Sequence, residues 1–492
     1  MTAYVVAPIV IDTLTRVQAY ARTQKITLHL VGGWVRDQLL ARPPRSLNVD
    51  LAVAHGAIEH ARALAAHLRG AFVLLDEDAG SARVVVSGAQ GRVELDLSDF
   101  RGATLEDDLR RRDFTVNAMA IRLEDWLRDP QHPPQPVDLL QGRQALARRQ
   151  LTACFPGTFE EDPVRILRAF RFASQLAFTL DASLEPLMRR AAPSLSRVSG
   201  ERLRDELMLI CATDRAGSAI ASLADIGALE ILIPELAPGR GMDQGGYHHL
   251  NVLDHQLEAV RQSDRILADF SEFSGPLREP LAAYCAEEPV EGRSRKSLIK
   301  LGALLHDVGK PAKRQVHDDG EIWFIGHEHS GAELTGPIVE RLRFSNREAE
   351  MVIQLVRHHL RPGFLSREPE LTRRAIYRFY KDLGDNGPAC GLTWWSDRMA
   401  TRGPLSNIAQ IDEQRGRLEA LLTPYFFKVE DIVKPPRLVD GHRLMQELRL
   451  EPGAIVGELL GAIEEAQAEG RVHSPEEAMT LAQDTLDALR KK

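Results

Sequence analysis

Two glycines and an arginine, Gly32, Gly33 and Arg36, stand where the run HLV meets WVRDQLL, a strand passing into a helix. At such a junction backbone amides and a helix N-terminus can face phosphate while Arg36 adds charge. A plain strand-to-helix turn with a surface arginine fits the same letters. In SLNVDLAV, Asn48 and Asp50 alternate with Leu47, Val49 and Leu51, so the two polar side chains share one face of a strand. Glu94 and Asp96 alternate in the same way with Val93, Leu95 and Leu97. In FEEDPVRILRAFRF, Arg165 and Arg168 are three apart and share a helix face, with Val164 and Leu167 packing inward. Pro163 suits a first helical position, which makes Asp162 a natural N-cap. Farther on, the adjacent His306 and Asp307 can place an imidazole and a carboxylate on one metal ion, in company with His255, His327, His358, His359 and Asp397.

The elements that position these residues follow from periodicity. Residues 1–125 mix strand-like runs (ITLHLVGG, AFVLLD, RVVVSG, RVELDLS) with helical stretches (IEHARALAAHL, RDFTVNAMAI), an α/β pattern that the Pro-rich DPQHPPQPVD closes. Apolar spacings of three and four then predict helix almost throughout. The expected organisation is a head over 1–138, a helical neck over 139–240, a histidine-bearing helical domain over 241–405 and a helical tail over 406–492, an α+β chain.

Composition narrows the function classes. The chain has 492 residues, 62 Lys and Arg against 70 Asp and Glu, and a formal charge of -8. Such a balance excludes uniform positive potential, so any nucleic-acid contact has to use local basic patches. Four cysteines, Cys154, Cys211, Cys285 and Cys390, are far apart and form no C-x-x-C pair, so they are expected as buried, reduced thiols. Neither a signal peptide nor a run of 18 apolar residues is present, which predicts a cytoplasmic protein without membrane contact.

VGGWVRDQLL, the acidic strand after it and LEDDLRRRDFTVNAMA (105–120) together resemble the head of the class II tRNA nucleotidyltransferase and bacterial poly(A) polymerase family, with its DNA polymerase β-like fold. In that family two strand aspartates hold Mg²⁺, which activates the attacking 3′ hydroxyl and neutralises the triphosphate. Asp50 matches the second aspartate, while Asn48 falls where the first is expected and offers one neutral oxygen. The resemblance leaves a compensated enzyme, a weakened enzyme and a head kept for binding as readings of Asn48. Glu94 and Asp96 then supply a further ligand or form a solvated edge, with Asp96 the candidate catalytic group. The resemblance assigns nucleotide contact to Arg112 and a structural or ribose role to Asp113, which as a bare residue is a helix-terminal ion pair.

FEEDPVRILRAFRF matches the family's E-D-x-x-R motif, in which the aspartate and first arginine read the incoming base. By that resemblance Asp162 accepts from the exocyclic amine shared by C and A, Arg165 donates to the neighbouring ring acceptor, and Arg168 helps bind nucleotide or phosphates. GERLRDEL (200–207), with Arg197, suits a tRNA-contacting helix or a solvated face. The histidine set resembles the HD phosphohydrolase superfamily in order and spacing. His255, His306, Asp307 and Asp397 are its simplest metal set, and His327 with His358 or His359 extends it to a second metal. Mn²⁺, Mg²⁺, Ni²⁺ and Fe all suit such ligands. Lys310 reads as a phosphate contact or a surface lysine. The tail, VDGHRLMQELRLEPGAIVGELLGAIEEAQAEGRVHSPEEAM, resembles the C-terminal segment of HD-containing members.

The resemblance implies addition of C, C and A from CTP and ATP to the tRNA 3′ end. CC-adding, A-adding and poly(A)-adding relatives share the same motifs. Readings from other classes are a hydrolase whose head only docks RNA and an RNA-binding protein with neither activity.

Overall fold

The computed structural model describes residues 6–42, 47–88, 91–404 and 408–490; Ser46, ahead of the acidic strand, and the terminal Lys491 and Lys492 lie outside them. The chain divides into two compact units, Met1–Val198 and Ser199–Lys492.

The first unit opens with helix α1 (Pro8–Gln24), strand β1 (His29–Val31), helix α2 (Gly32–Leu39), strand β2 (Asn48–Val53) and helix α3 (Ala57–Leu68). Strands β3 (Ala71–Asp76), β4 (Ser81–Gly88) and β5 (Gly91–Asp99), helix α4 (Leu105–Arg110) and strand β6 (Ala120–Arg122) follow. The six strands form one sheet in the order β3-β4-β5-β2-β1-β6. Only the β2–β5 pair is parallel, and it sets Asn48 beside Glu94 and Asp50 beside Asp96. Val49, Leu51, Val93, Leu95 and Leu97 are buried on the opposite face, as the alternation requires. Glu94 and Asp96 therefore stand on an interior strand, so the solvated-edge reading does not hold.

RDFTVNAMAI departs from the expected helix. Thr104 and Asp107 form a capping box at the start of α4, but the helix ends at Arg110. The chain then makes a 3₁₀ turn at Thr115–Asn117 and enters β6. Tertiary bonds override local preference here: Thr115 N donates to Thr152 O and Cys154 N to Asp113 O, while Phe114 and Val116 fill the core.

Beyond the head, helices at Gly142–Arg148, Arg165–Leu176 and Leu184–Ala191 dominate, and Gln150–Leu151 and Thr179–Leu180 pair as two short parallel strands in a stretch expected to be almost wholly helical. The helix expected to start at Pro163 starts at Arg165, with Val164 at the N-cap and no side-chain cap. Asp162 closes the preceding turn at Thr158–Glu161 and is not the N-cap residue.

Among its described residues the second unit is built of helices, with a hairpin pairing Gln315–Val316 with Ile322–Trp323 and an isolated bridge between Val290 and Arg293. Helix Val252–Asp269 is central and packs on Ala216–Asp225, Arg295–Leu305 and Gly387–Ala400. Lys300 is wholly buried there, 2.7 Å from Asp264, whose other oxygen accepts from Gly217 N. Such a pair leaves no buried charge uncompensated. The tail builds a small core of its own from Leu444, Leu459, Ile463, Ala482 and Leu486, and Gly453 stands at the N-cap of its helix Ala454–Glu469. All four cysteines are free, three of them buried. No helix among the described residues is long and apolar enough to cross a membrane.

Candidate active site and metal centre

In the first unit, Gly32 adopts φ +66°, and a Cβ added there would lie 2.8 Å from Asp50 Oδ2 and 3.5 Å from an Arg112 nitrogen. Only glycine tolerates both demands without strain. The next amide, Gly33 N, donates to Asp50 Oδ2 at 3.2 Å. The Gly-Gly turn, the second acidic position of β2 and Arg112 thus converge. Burial pushes the Asp50 carboxyl above its ordinary range, Asp96 pushes it further, and Arg112 and the Gly33 amide oppose them. Arg36 is not a surface residue: it is buried, donates to Asn117 Oδ1 at 2.7 Å and forks onto Asp37.

Asn48 Nδ2 donates to Asp96 Oδ2 at 3.1 Å, and Asn48 Oδ1 is buried with no hydrogen-bond partner among the described residues. Arg83 on β4 holds Asp96 bidentately at 2.7 and 2.9 Å and reaches Glu94 at 2.7 Å. A hard divalent ion fits this face, because Asn48 offers an orphaned buried amide oxygen two positions along β2 from the desolvated Asp50 carboxylate.

Arg112 donates twice to Asp108, which is fully buried and also receives Arg101 at 3.0 Å. Asp113 accepts from Phe114 N and Asn117 Nδ2 through one oxygen and from the Arg168 fork through the other, at 3.0 and 2.7 Å. Burial raises the Asp113 pKa, but Arg168 outweighs it and holds the carboxyl well below the usual range. The structure therefore ties Arg168 to Asp113. Arg165 donates to Thr158 Oγ1 at 2.9 Å and stands 3.9 Å from Asp162, too far for a hydrogen bond, so the pair is adjacent without being fused.

Sequence reasoning did not single out Asp108, Asn117, Thr158 or Arg83. Two of these carry a signal: Asp108 lies four residues before Arg112, and Asn117 four after Asp113. Arg83 meets Asp96 only through the register of β4 on β5, which no local pattern specifies.

In the second unit, His306, Asp307, His255, His327 and His359 form two overlapping trios that share Asp307. One Asp307 oxygen lies 3.1 Å from His306 Nε2 and the other 3.2 Å from His327 Nε2. Asp397 lies 2.9 Å from His255 Nε2. His306, His327 and His359 each direct Nδ1 at a backbone carbonyl three residues earlier, Ala303, Phe324 and Val356, at 2.7 to 2.8 Å. A carbonyl only accepts, so each Nδ1 carries a proton and each Nε2 is turned inward. His306 and His255 then face each other through Nε2 atoms 3.3 Å apart, as do His327 and His359. Inward Nε2 atoms and two carboxylates at this spacing suit a divalent cation, which would take the place of the protons shared between them. Burial drives His306 towards neutrality, but Asp307 and Asp397 outweigh it and carry its pKa up to about 10. His359, which burial and His327 both affect, falls to about 3.

Of the two adjacent histidines, the fold brings His359 to the cluster and leaves His358 out; its carbonyl accepts from Cys390. Lys310 is buried, 2.6 Å from Asp307 and bonded to Gln244 at 2.7 Å, so it is not a surface lysine. His248, also unforeseen, packs edge-on against His255 with centroids 4.6 Å apart; the run YHHLNVLDH carried that signal. A cavity of about 890 Å³ opens over Asp307, His327 and Asp397, lined also by Trp323, Trp394, Arg367 and Arg398.

Divalent metal at about a hundredfold its dissociation constant should add ~2.7 kcal/mol, on the order of 4 °C in Tm for a unit of this size. His306→Ala should remove most of that gain, and calorimetry with and without chelator reads both results.

A head with a glycine turn beside an acidic strand, and a helical unit with a histidine–aspartate cluster, define a nucleotidyltransferase carrying an HD domain. Family models agree: residues 28–152 match the poly A polymerase head domain, 177–239 the probable RNA and SrmB-binding site of polymerase A, and 253–382 the HD domain. An A-adding tRNA nucleotidyltransferase from Deinococcus radiodurans is 36% identical over 460 residues, 92% of this chain and 94% of its own. A CC-adding tRNA nucleotidyltransferase from Thermus thermophilus is 33% identical over 454 residues, 91% of each. A Thermotoga maritima CCA-adding enzyme complexed with tRNA shares the fold, with TM-score 0.60 at 21% identity over 98% of this chain and 96% of that one. The chain belongs to the tRNA nucleotidyltransferase family.

Proposed function

We propose that this chain transfers CMP, AMP or both from CTP and ATP to the 3′ end of tRNA, the 3′ hydroxyl attacking the nucleotide α-phosphate and pyrophosphate leaving. The observation that supports it most is the arrangement of Asp162 and Arg165 one helical turn from Arg168, whose fork holds Asp113. In this reading Asp162 and Arg165 take the base edge shared by C and A, because G and U present the opposite donor and acceptor pattern. Gly32, Gly33, Arg36 and Arg112 cradle the nucleotide phosphates, while Asp113 fixes Arg168. Asn48 Oδ1 and Asp50 would hold Mg²⁺, which when bound activates the hydroxyl and offsets the charge on the triphosphate. Asp96 stands behind them.

Relatives that match over nine-tenths of both lengths are named for A-adding and CC-adding activity, which favours a share of the C-C-A sequence over all three additions. Purified protein with Mg²⁺ should be given tRNA ending at the discriminator base, or at C-C, with CTP, ATP or both. Extension of only one of these tRNAs supports the specialised reading, and three nucleotides on the first supports complete addition. No extension of either would sink the transferase reading for this chain. The HD cluster, through His255, His306, Asp307, His327, His359 and Asp397, would hold a divalent metal that activates water against a phosphoester. A second, hydrolytic activity lost in His306→Ala is the expected result.

Asn48→Asp should leave transfer unchanged or raise it, since it restores an anionic oxygen. In metal-free protein the same change should lower Tm, because the new carboxylate faces Asp96 across the former 3.1 Å hydrogen bond. Mg²⁺ should then raise Tm more in the variant than in the parent.

A further inference from the structure

An asparagine amide ends in an oxygen and a nitrogen of nearly equal size, and only the oxygen can bind a metal ion. A metal face that includes Asn48 therefore works only if something fixes which atom points inward. Asp96 does so: its carboxylate only accepts, so it retains Asn48 Nδ2 at 3.1 Å and leaves Oδ1 as the atom without a partner among the described residues. Asp96 is itself fixed, because Arg83 Nε and a terminal nitrogen bind its two oxygens at 2.7 and 2.9 Å. The third Arg83 nitrogen reaches Glu94 at 2.7 Å, and Glu94 in turn receives Arg92 at 2.7 Å. Strand register makes this arrangement rigid. Arg83 lies opposite Asp96 across β4 and β5, and Asn48 and Asp50 lie opposite Glu94 and Asp96 across β2 and β5.

We propose that Arg83 is a positioning residue of the head: through Asp96 it keeps the Asn48 amide oxygen turned to the metal face, so that a neutral side chain serves as a ligand. The proposal rests on the reading that the head holds a divalent ion. It also separates Asp96 from direct ligation, since both Asp96 oxygens are committed to Arg83 and one of them also to Asn48. The competing arrangement has Asp96 as a ligand and Arg83 as its competitor. The two differ in sign: removing Arg83 frees the Asn48 amide to rotate in the first and frees a carboxylate for the metal in the second.

Mn²⁺ alone, added to the full chain and followed by electron paramagnetic resonance of the free ion, reads this directly. The head's share is the bound Mn²⁺ lost in Asp50→Asn. Arg83→Gln should weaken that share about 10-fold, the scale seen when a residue orienting a metal ligand is removed. Arg83→Lys keeps the charge but not the two-armed grip; it should fall between parent and Arg83→Gln and provides the reading if the latter does not fold. A purely structural role would lower Tm and leave Mn²⁺ affinity unchanged. Unchanged or tighter Mn²⁺ binding in either variant would overturn the positioning role. No Mn²⁺ lost in Asp50→Asn would overturn the metal reading of the head together with it.

Discussion

Asp50→Asn should lower nucleotide transfer by about a thousandfold, the equivalent of ~4 kcal/mol of transition-state stabilisation. With Asn48 already neutral, Asp50 is the anionic oxygen donor on the β2 face, and Asp96 is occupied by Arg83. A second amide would leave that face with no uncommitted carboxylate to balance a divalent ion. The shape of the side chain is unchanged, and an amide at position 50 can still accept from Gly33 N, so folding should survive. Single-turnover transfer on tRNA measures the loss, and the metal-dependent Tm gain of the second unit should be preserved in the same preparation. Transfer within tenfold of the parent would show that Asp50 is not a metal ligand.

Asp162→Asn should produce the next largest effect, in selection rather than rate. The carboxylate can only accept, which suits the exocyclic amines of C and A and rejects the carbonyl oxygens of U and G. An amide can rotate to donate, so the rejected bases find a partner. Discrimination between CTP and UTP should fall by about a hundredfold or more, the range that a missing or reversed polar contact commands in a specific pocket. The ratio of kcat/KM for the two nucleotides reads it. Arg165, bonded to Thr158 Oγ1, should keep its place in the variant, so CTP itself should lose much less. An unchanged ratio would place base reading elsewhere.

The strands bearing Asn48, Asp50, Glu94 and Asp96 were legible because period-two alternation with buried valines and leucines is a local signal. So was the spacing that gathers His255, His306, Asp307, His327 and Asp397. RDFTVNAMAI was not: its apolar residues suggest a helix, and only its pairing with β1 and with Thr152 turns it into a 3₁₀ turn and strand. The choice between His358 and His359 depended on which face of a helix end meets Asp307, and adjacency in sequence does not decide that. Lys310 looked like a surface residue because the partners that justify its burial, Asp307 and Gln244, include one 66 residues away. Arg83 was invisible for the same reason, since register alone brings it to Asp96.

Gly32 has no functional group, yet its missing side chain sets how much change the head can absorb. A single methyl there would strike the Asp50 carboxylate while the backbone resisted the conformation it needs. A survey that ranks positions by the chemistry of their side chains would pass over it. In mutational terms this place in the head is held by an emptiness, and whatever fills it presses on the acid beside it.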